Sequence, residues 1–326
     1  LSPHRRALLT GTLFALAAGL MWGLVFVAPL LLPQYPAALL SFARYLAFGL
    51  IALPLGWLDR QRLSSLTRAD WLAALKLSAV GNLLYYLCLA AALQRAGGPL
   101  PTMIIGTLPV VIALATNRRN AVRDGTLPWR RLLPSLLLMA AGIACVNQVE
   151  WQALRADPQG DPLRYALGAL LALGAVACWT WYPIHNADWL RAHADRPPSN
   201  WATAQGLATL PLAAAGLAGF CAWQAAFGNA DFVLPLGPTP ALFVGLMFAI
   251  GLFASWLGTL CWNEASQRLP TTLAGQLIVF ETLSALAYAY ILRGSLPSAA
   301  TGAGVLLLVA GVMWALRSRP VAQAVP

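Results

Sequence analysis

Apolar residues come in long runs separated by short polar stretches along the whole chain. Ten of these runs approach or exceed the roughly 20 residues a helix needs to cross bilayer hydrocarbon. They lie at about 8–32, 37–57, 71–93, 98–116, 132–147, 165–185, 201–226, 240–266, 271–292 and 297–316. The pattern predicts an all-α, polytopic membrane protein of ten transmembrane helices. The first run begins with "SPHRR", the basic start of a secretory signal. Its apolar stretch is too long for a signal core of roughly 7–15 residues, so it is read as a mature helix.

Composition agrees with this pattern. Hydrophobic residues make up 59% of the chain and charged ones 10%, against about 25% charged in soluble domains. The net charge of +10 does not mark a nucleic-acid surface, because the arginines sit in short loops between apolar runs. Assigned to alternate sides, fifteen arginines gather on one side and only Arg95, Arg155, Arg164 and Arg293 on the other. By the positive-inside rule both termini are cytoplasmic, and the chain is expected in the inner (plasma) membrane. The five cysteines (Cys88, Cys145, Cys178, Cys221 and Cys261) all lie inside apolar runs, as small core residues do.

The two halves of the chain repeat. "GTLFALAAGLMWG" (11–23) aligns with "GALLALGAVACWT" (168–180), pairing Trp22 with Trp179. "LCLAAALQRAG" (87–97) aligns with "LCWNEASQRLP" (260–270), pairing Cys88 with Cys261 and Gln94 with Gln267. "LLLMAAGI" (136–143) matches "LLLVAGVM" (306–313). Residues 1–150 and 151–326 therefore read as two repeats of five helices each. Five is odd, so the second copy runs with opposite polarity. Inverted repeats with a site near the bilayer midplane are a signature of secondary transporters.

On these residues the chain resembles the drug/metabolite transporter superfamily, of the EamA type, over almost its full length. "FARYLAFGL" in the second run and Pro109 of "GTLPVVIAL" in the fourth carry the likeness further. The ninth run departs from it: the family often has Glu-Pro there, and this chain has Glu281-Thr282. "YYLCLA" (85–90), "CWNEA" (261–265) and "TLSAL" (282–286) look most like YddG-type exporters of aromatic amino acids. The resemblance implies alternating-access export of small metabolites, with aromatic or neutral amino acids favoured.

A candidate site follows from depth along each helix, at about 1.5 Å per residue. Near mid-depth lie Trp22, Asn82, Tyr85, Tyr86, Trp256, Gln276 and Glu281, with Trp179 displaced toward the cytoplasm. Central Trp and Tyr are unusual, since these residues concentrate at the interfaces. An aromatic cavity with a few oriented polar groups is a common small-molecule site. Trp22 and Trp179 could equally be repeat-related packing residues, and Asn82 an interhelical hydrogen-bonding residue. Trp181 and Tyr182 read as belt aromatics. Glu264 and Arg268 have the spacing of a helix-surface ion pair. Lys76 can snorkel, and His185 sits at a membrane edge.

Two charges lie deeper. Glu281 in "QLIVFETLSALAYAY" (276–290) stands mid-run, where a charge facing lipid costs roughly 2.5–3.5 kcal/mol. It must face a polar route, neutralised by a cation or a proton. It would bind a substrate ammonium, couple protons, or anchor a helix pair. Arg44 lies inside the second run, with Gln205 as its repeat counterpart. It either receives a substrate carboxylate or, the reading preferred at this stage, pairs with an internal acidic side chain.

The chain carries no HExxH, GxSxG or P-loop motif, and its three histidines suggest no metal cluster. The expectation is a non-enzyme without cofactor, whose partners are a small solute, the bilayer and, with Glu281, protons. The alternatives are another solute on the same fold (a cationic drug, a nucleoside, another amino acid), a membrane enzyme or a passive channel.

Overall fold

The computed structural model describes residues 3–96, 99–119, 128–155, 162–228, 232–294 and 296–317. Among the loop arginines used above, Arg123 and Arg319 lie outside them. The described residues form helices and no strand, and each expected apolar run falls on helix. We number the main elements α1 (Arg5–Leu31), α2 (Ala37–Leu58), α3 (Arg68–Ala96), α4 (Leu108–Arg119), α5 (Trp129–Arg155), α6 (Pro162–Ala192), α7 (Pro198–Phe227), α8 (Pro240–Arg268), α9 (Val279–Arg293) and α10 (Ala299–Arg317). Seven helical stretches are long and apolar enough to cross a membrane by length and composition: those of α1, α2, α3, α6, α7, α8 and Leu273–Leu292, which includes most of α9. The fourth, fifth and tenth runs do not meet that test among the described residues. The first of these is interrupted, and the described apolar part of the last, Ala299–Gly311, is shorter.

Several helices are irregular where the cavity described below lies. α3 loosens into a π-helical stretch at Ser78–Leu84, and α8 does so at Gly251–Leu257. The two stretches share one register: Ser78 precedes Cys88 by the interval that separates Gly251 from Cys261. Wide π turns inside α-helices recur at functional sites. α4 is preceded by a separate short helix, Pro99–Ile105, and α9 by Thr271–Leu277. Thr271–Leu277 packs against α4.

Local signals set several ends. At the start of α3, Thr67 and Asp70 form a reciprocal capping box: Thr67 N–H donates to Asp70 Oδ2 at 2.8 Å, and Asp70 N–H donates to Thr67 Oγ1 at 3.2 Å. Gly294 closes α9 in a left-handed conformation, φ 60°, which glycine adopts without steric cost. α6 continues to Ala192, past the end expected near 185.

The helices pack in a definite scheme. α1 lies against α8 and α9, α6 against α3, α2 against α7, and α5 against α10. Small residues permit the closest crossings. A Cβ on Gly19 of α1 would meet Glu281 N at 3.1 Å, and one on Gly23 would meet Ser284 Cβ at 2.6 Å. Gly142 of α5 stands in the same relation to Gly304 O of α10, at 2.6 Å.

Candidate functional site

The interruption before α9 positions Glu281. The helical run is interrupted at Ile278, and Glu281 falls in the first turn of α9, its N–H donating to Ile278 O at 2.9 Å. A helix N-terminus carries partial positive charge and favours a carboxylate there. The side chain is buried. Oε1 accepts a long hydrogen bond from Tyr85 OH at 3.5 Å, and Oε2 has no partner.

Arg44 is also buried. Its Nε donates to Ser255 Oγ at 3.1 Å, and Ser255 Oγ donates to Ile250 O, five residues back along the π stretch of α8. The guanidinium carbon stands 4.7 Å from the ring centre of Tyr45 and 4.5 Å from that of Tyr86, within cation–π range. Nη1 has no partner. Arg44 and Glu281 line one cavity but form no ion pair, so the internal acidic pairing expected of Arg44 is not made. Its attachment is a hydroxyl and two rings instead.

The rest of the cavity wall is largely aromatic. Trp22 and Trp179 meet edge to face, ring centres 4.7 Å apart, and Tyr85 lies 5.5 Å from Trp179. Trp262 supports both indoles from behind, at 5.2 and 6.2 Å. Glycines seat these rings. A Cβ on Gly258 would come within 2.7 Å of Trp22 Nε1, and one on Gly81 would collide with the Tyr182 ring. Asn82 adds an amide, which donates to Thr209 Oγ1 of α7 at 3.4 Å. The centre of a water-sized sphere has about 20 Å³ here, the room of about one water.

Six of the nine residues expected at the site line this cavity together: Trp22, Arg44, Asn82, Tyr85, Trp179 and Glu281. Tyr86 stands behind Arg44, its hydroxyl donating to Val25 O at 3.2 Å. Trp256 turns away toward α7, with Nε1 donating to Thr203 Oγ1 at 3.2 Å. Gln276 is buried in Thr271–Leu277 with both amide atoms unpartnered, and it does not line the cavity. Sequence reasoning missed Tyr45, Ser255 and Thr259, and placed Tyr182 at the membrane edge. Tyr182 is a buried wall residue whose hydroxyl donates to Gln205 Oε1 at 2.9 Å. The adjacency of Tyr45 to Arg44 in "FARYLAFGL" was the available signal for Tyr45.

Other expectations fall outside the cavity. Glu264 and Arg268 form their ion pair. His185 stacks on Trp181, ring centres 4.3 Å apart, and Lys76 is exposed. Among the described residues the cysteines are free, and no three His, Cys, Asp or Glu residues come together as metal ligands.

Discontinuous helices facing a buried site are a construction of membrane carriers. The chain belongs to the EamA-like transporter family, within the drug/metabolite transporter superfamily; the family match spans residues 9–117. It is 52% identical over 313 residues to the inner membrane protein YtfF of Escherichia coli (strain K12), covering 96% of this chain and 97% of that one. A solved crystal structure superposes with a TM-score of 0.67 over 94% of this chain and 96% of its own, at 20% identity. That last likeness is one of fold alone.

Proposed function

We propose that this protein is an inner-membrane exporter of zwitterionic aromatic or neutral amino acids, working by alternating access. The observation that carries the proposal is a single buried cavity in which Arg44 Nη1 and Glu281 Oε2, one cationic and one anionic, both lack partners among aromatic walls. Buried charges left incompletely satisfied are costly. A ligand bearing both a carboxylate and an ammonium supplies the missing partner of each, while Trp22, Trp179 and Tyr85 receive an aromatic side chain. With room for about one water, the observed conformation is occluded. Loading an amino acid requires the helices around the cavity to separate.

Ten spans in two inverted repeats, with both termini cytoplasmic, complete the proposal. The packing scheme supports it. Under exchange of halves, α1 against α8 becomes α6 against α3, while α2–α7 and α5–α10 each map onto themselves. The shared register of the two π stretches supports it too. The inner-membrane location follows that of the Escherichia coli relative, an inner membrane protein.

Reconstitution in liposomes tests the function. Labelled phenylalanine, a cationic drug and a nucleoside are offered with and without an imposed pH gradient. Saturable phenylalanine flux is expected. Saturation with the drug or nucleoside but not phenylalanine would overturn the substrate class, and flux linear in concentration would point to a channel. Acceleration by the gradient in wild type, absent in Glu281→Gln, would assign proton coupling to that carboxylate.

A further inference from the structure

A second cavity, about 510 Å³, lies where the end of α6, the start of α7 and the α2–α3 connection meet. Its volume falls within the range of small-molecule sites. Trp189 and Trp201 form one wall, stacked face to face with ring centres 3.4 Å apart. Trp189 Nε1 donates to Asp70 Oδ1 at 2.9 Å, fixing the pair to α3. Arg196 holds the α2–α3 connection by donating to Ser65 Oγ at 2.9 Å and Ser65 O at 3.0 Å. Asn200 is buried and donates to Asp59 Oδ2 at 3.0 Å, but its Oδ1 has no partner. Arg62, Leu66, Asp195 and Pro197 complete the lining, and Arg62 is exposed with only a distant Asp59 at 3.9 Å. The cavity therefore offers cationic groups, a carboxylate and an indole surface.

A buried hydrogen-bonded chain joins this cavity to the central one. Trp201 Nε1 donates to Asn186 Oδ1 at 2.9 Å, and the same oxygen accepts from Gln205 Nε2 at 3.1 Å. Gln205 Oε1 accepts from Tyr182 OH, and Tyr182 lines the central cavity. Asn186 Nδ2 in turn donates to Asn263 Oδ1 of α8 at 2.8 Å. Buried amides cost free energy unless satisfied, and these are satisfied by one another across three helices.

We propose that the second cavity is a loading site for zwitterionic amino acids, and that the Trp201–Asn186–Gln205–Tyr182 chain is the partition that rearranges to pass them to the central cavity. Arg62 takes the carboxylate, Asp195 takes the ammonium, and the indole wall takes an aromatic side chain. The inference rests on the amino-acid transport proposed above. The cavity lies on the arginine-rich side, the side from which an exporter loads.

Labelled phenylalanine flux in proteoliposomes, with half-saturation measured from each face, tests it. Arg62→Ala and Asp195→Asn are expected each to raise half-saturation about tenfold from the face bearing this cavity, the loss of one charge-assisted hydrogen bond. From the other face half-saturation stays unchanged. A thiol placed by Ser65→Cys reports occupancy directly. Its reaction with a membrane-impermeant maleimide, over the parent background, should be slowed by phenylalanine and less by phenylpropionate or phenethylamine, which each lack one charge. Saturable flux with unshifted variants, and a thiol indifferent to phenylalanine, would overturn the loading site and leave the central site standing. Absence of saturable phenylalanine flux in wild type would overturn both.

Discussion

Glutamine in place of Glu281 keeps the size of the side chain and an oxygen that accepts from Tyr85, and removes only the charge. Glu281→Gln is therefore expected to fold normally, to lower phenylalanine flux at least tenfold, and to lose the pH response of the wild type. Arg44 and Glu281 share a cavity without an ion pair, so adding Arg44→Gln should restore only a minor part of any stability lost in either single variant. Thermal unfolding of the four proteins in detergent checks this, and recovery of most of the loss in the double variant would mean that the two side chains pair in solution. Trp22→Phe and Trp179→Phe keep a ring on each seat. Each should weaken half-saturation several-fold, on the order of 0.5–1.5 kcal/mol, with folded yield unchanged. Depth arithmetic brought these residues together because the helices near the cavity run nearly their expected courses. It failed for Tyr182, since α6 extends to Ala192 and leaves that ring well inside the helix rather than near its end. It failed for Gln276 and Trp256 because depth fixes height in the membrane and says nothing of which way a side chain faces.

Between elements, the close approach of α1 to α9 holds Glu281 against the cavity. Gly23→Leu drives a side chain into Ser284 and the backbone at Ala285, where even a Cβ has no room. Overpacking of this kind should cost about 1–3 kcal/mol and lower the unfolding temperature in detergent. Gly245→Ala in α8 is the contrasting case, because nothing lies within 4 Å of the new methyl. It should be neutral or slightly stabilising. Hydropathy located the helices but not their irregularities, because apolar periodicity does not record hydrogen-bond register. The π stretch of α8 is visible only in the backbone hydrogen bonding of Gly251–Leu257, and the break before α9 only once Glu281 N–H is seen bonded to Ile278 O.

For the molecule as a whole, sidedness is the property most open to test. Reporters fused after Ser65 and after Arg119 should score cytoplasmic, and one fused after Gly228 periplasmic, as the arginine distribution requires. A cytoplasmic signal at Gly228 would overturn the inverted arrangement of the halves. The proposed arrangement rests on short strings around Trp22 and Trp179 and around Cys88 and Cys261, and on the pairing of the helices. The partition between the two cavities was not legible in the sequence, because Asn186, Asn263 and Trp201 read individually as ordinary helix residues and acquire meaning only where three helices meet. The tightness of the central cavity bears on the cell that carries the protein. Protons leak through membranes along unbroken files of water, and space for about one water breaks the file. A copy held in this conformation is then expected to be an insulator, so a membrane crowded with such copies should hold its voltage, worth about 2.3 kcal/mol per charge at 100 mV. Planar bilayers containing the protein without solute should show the conductance of bare lipid.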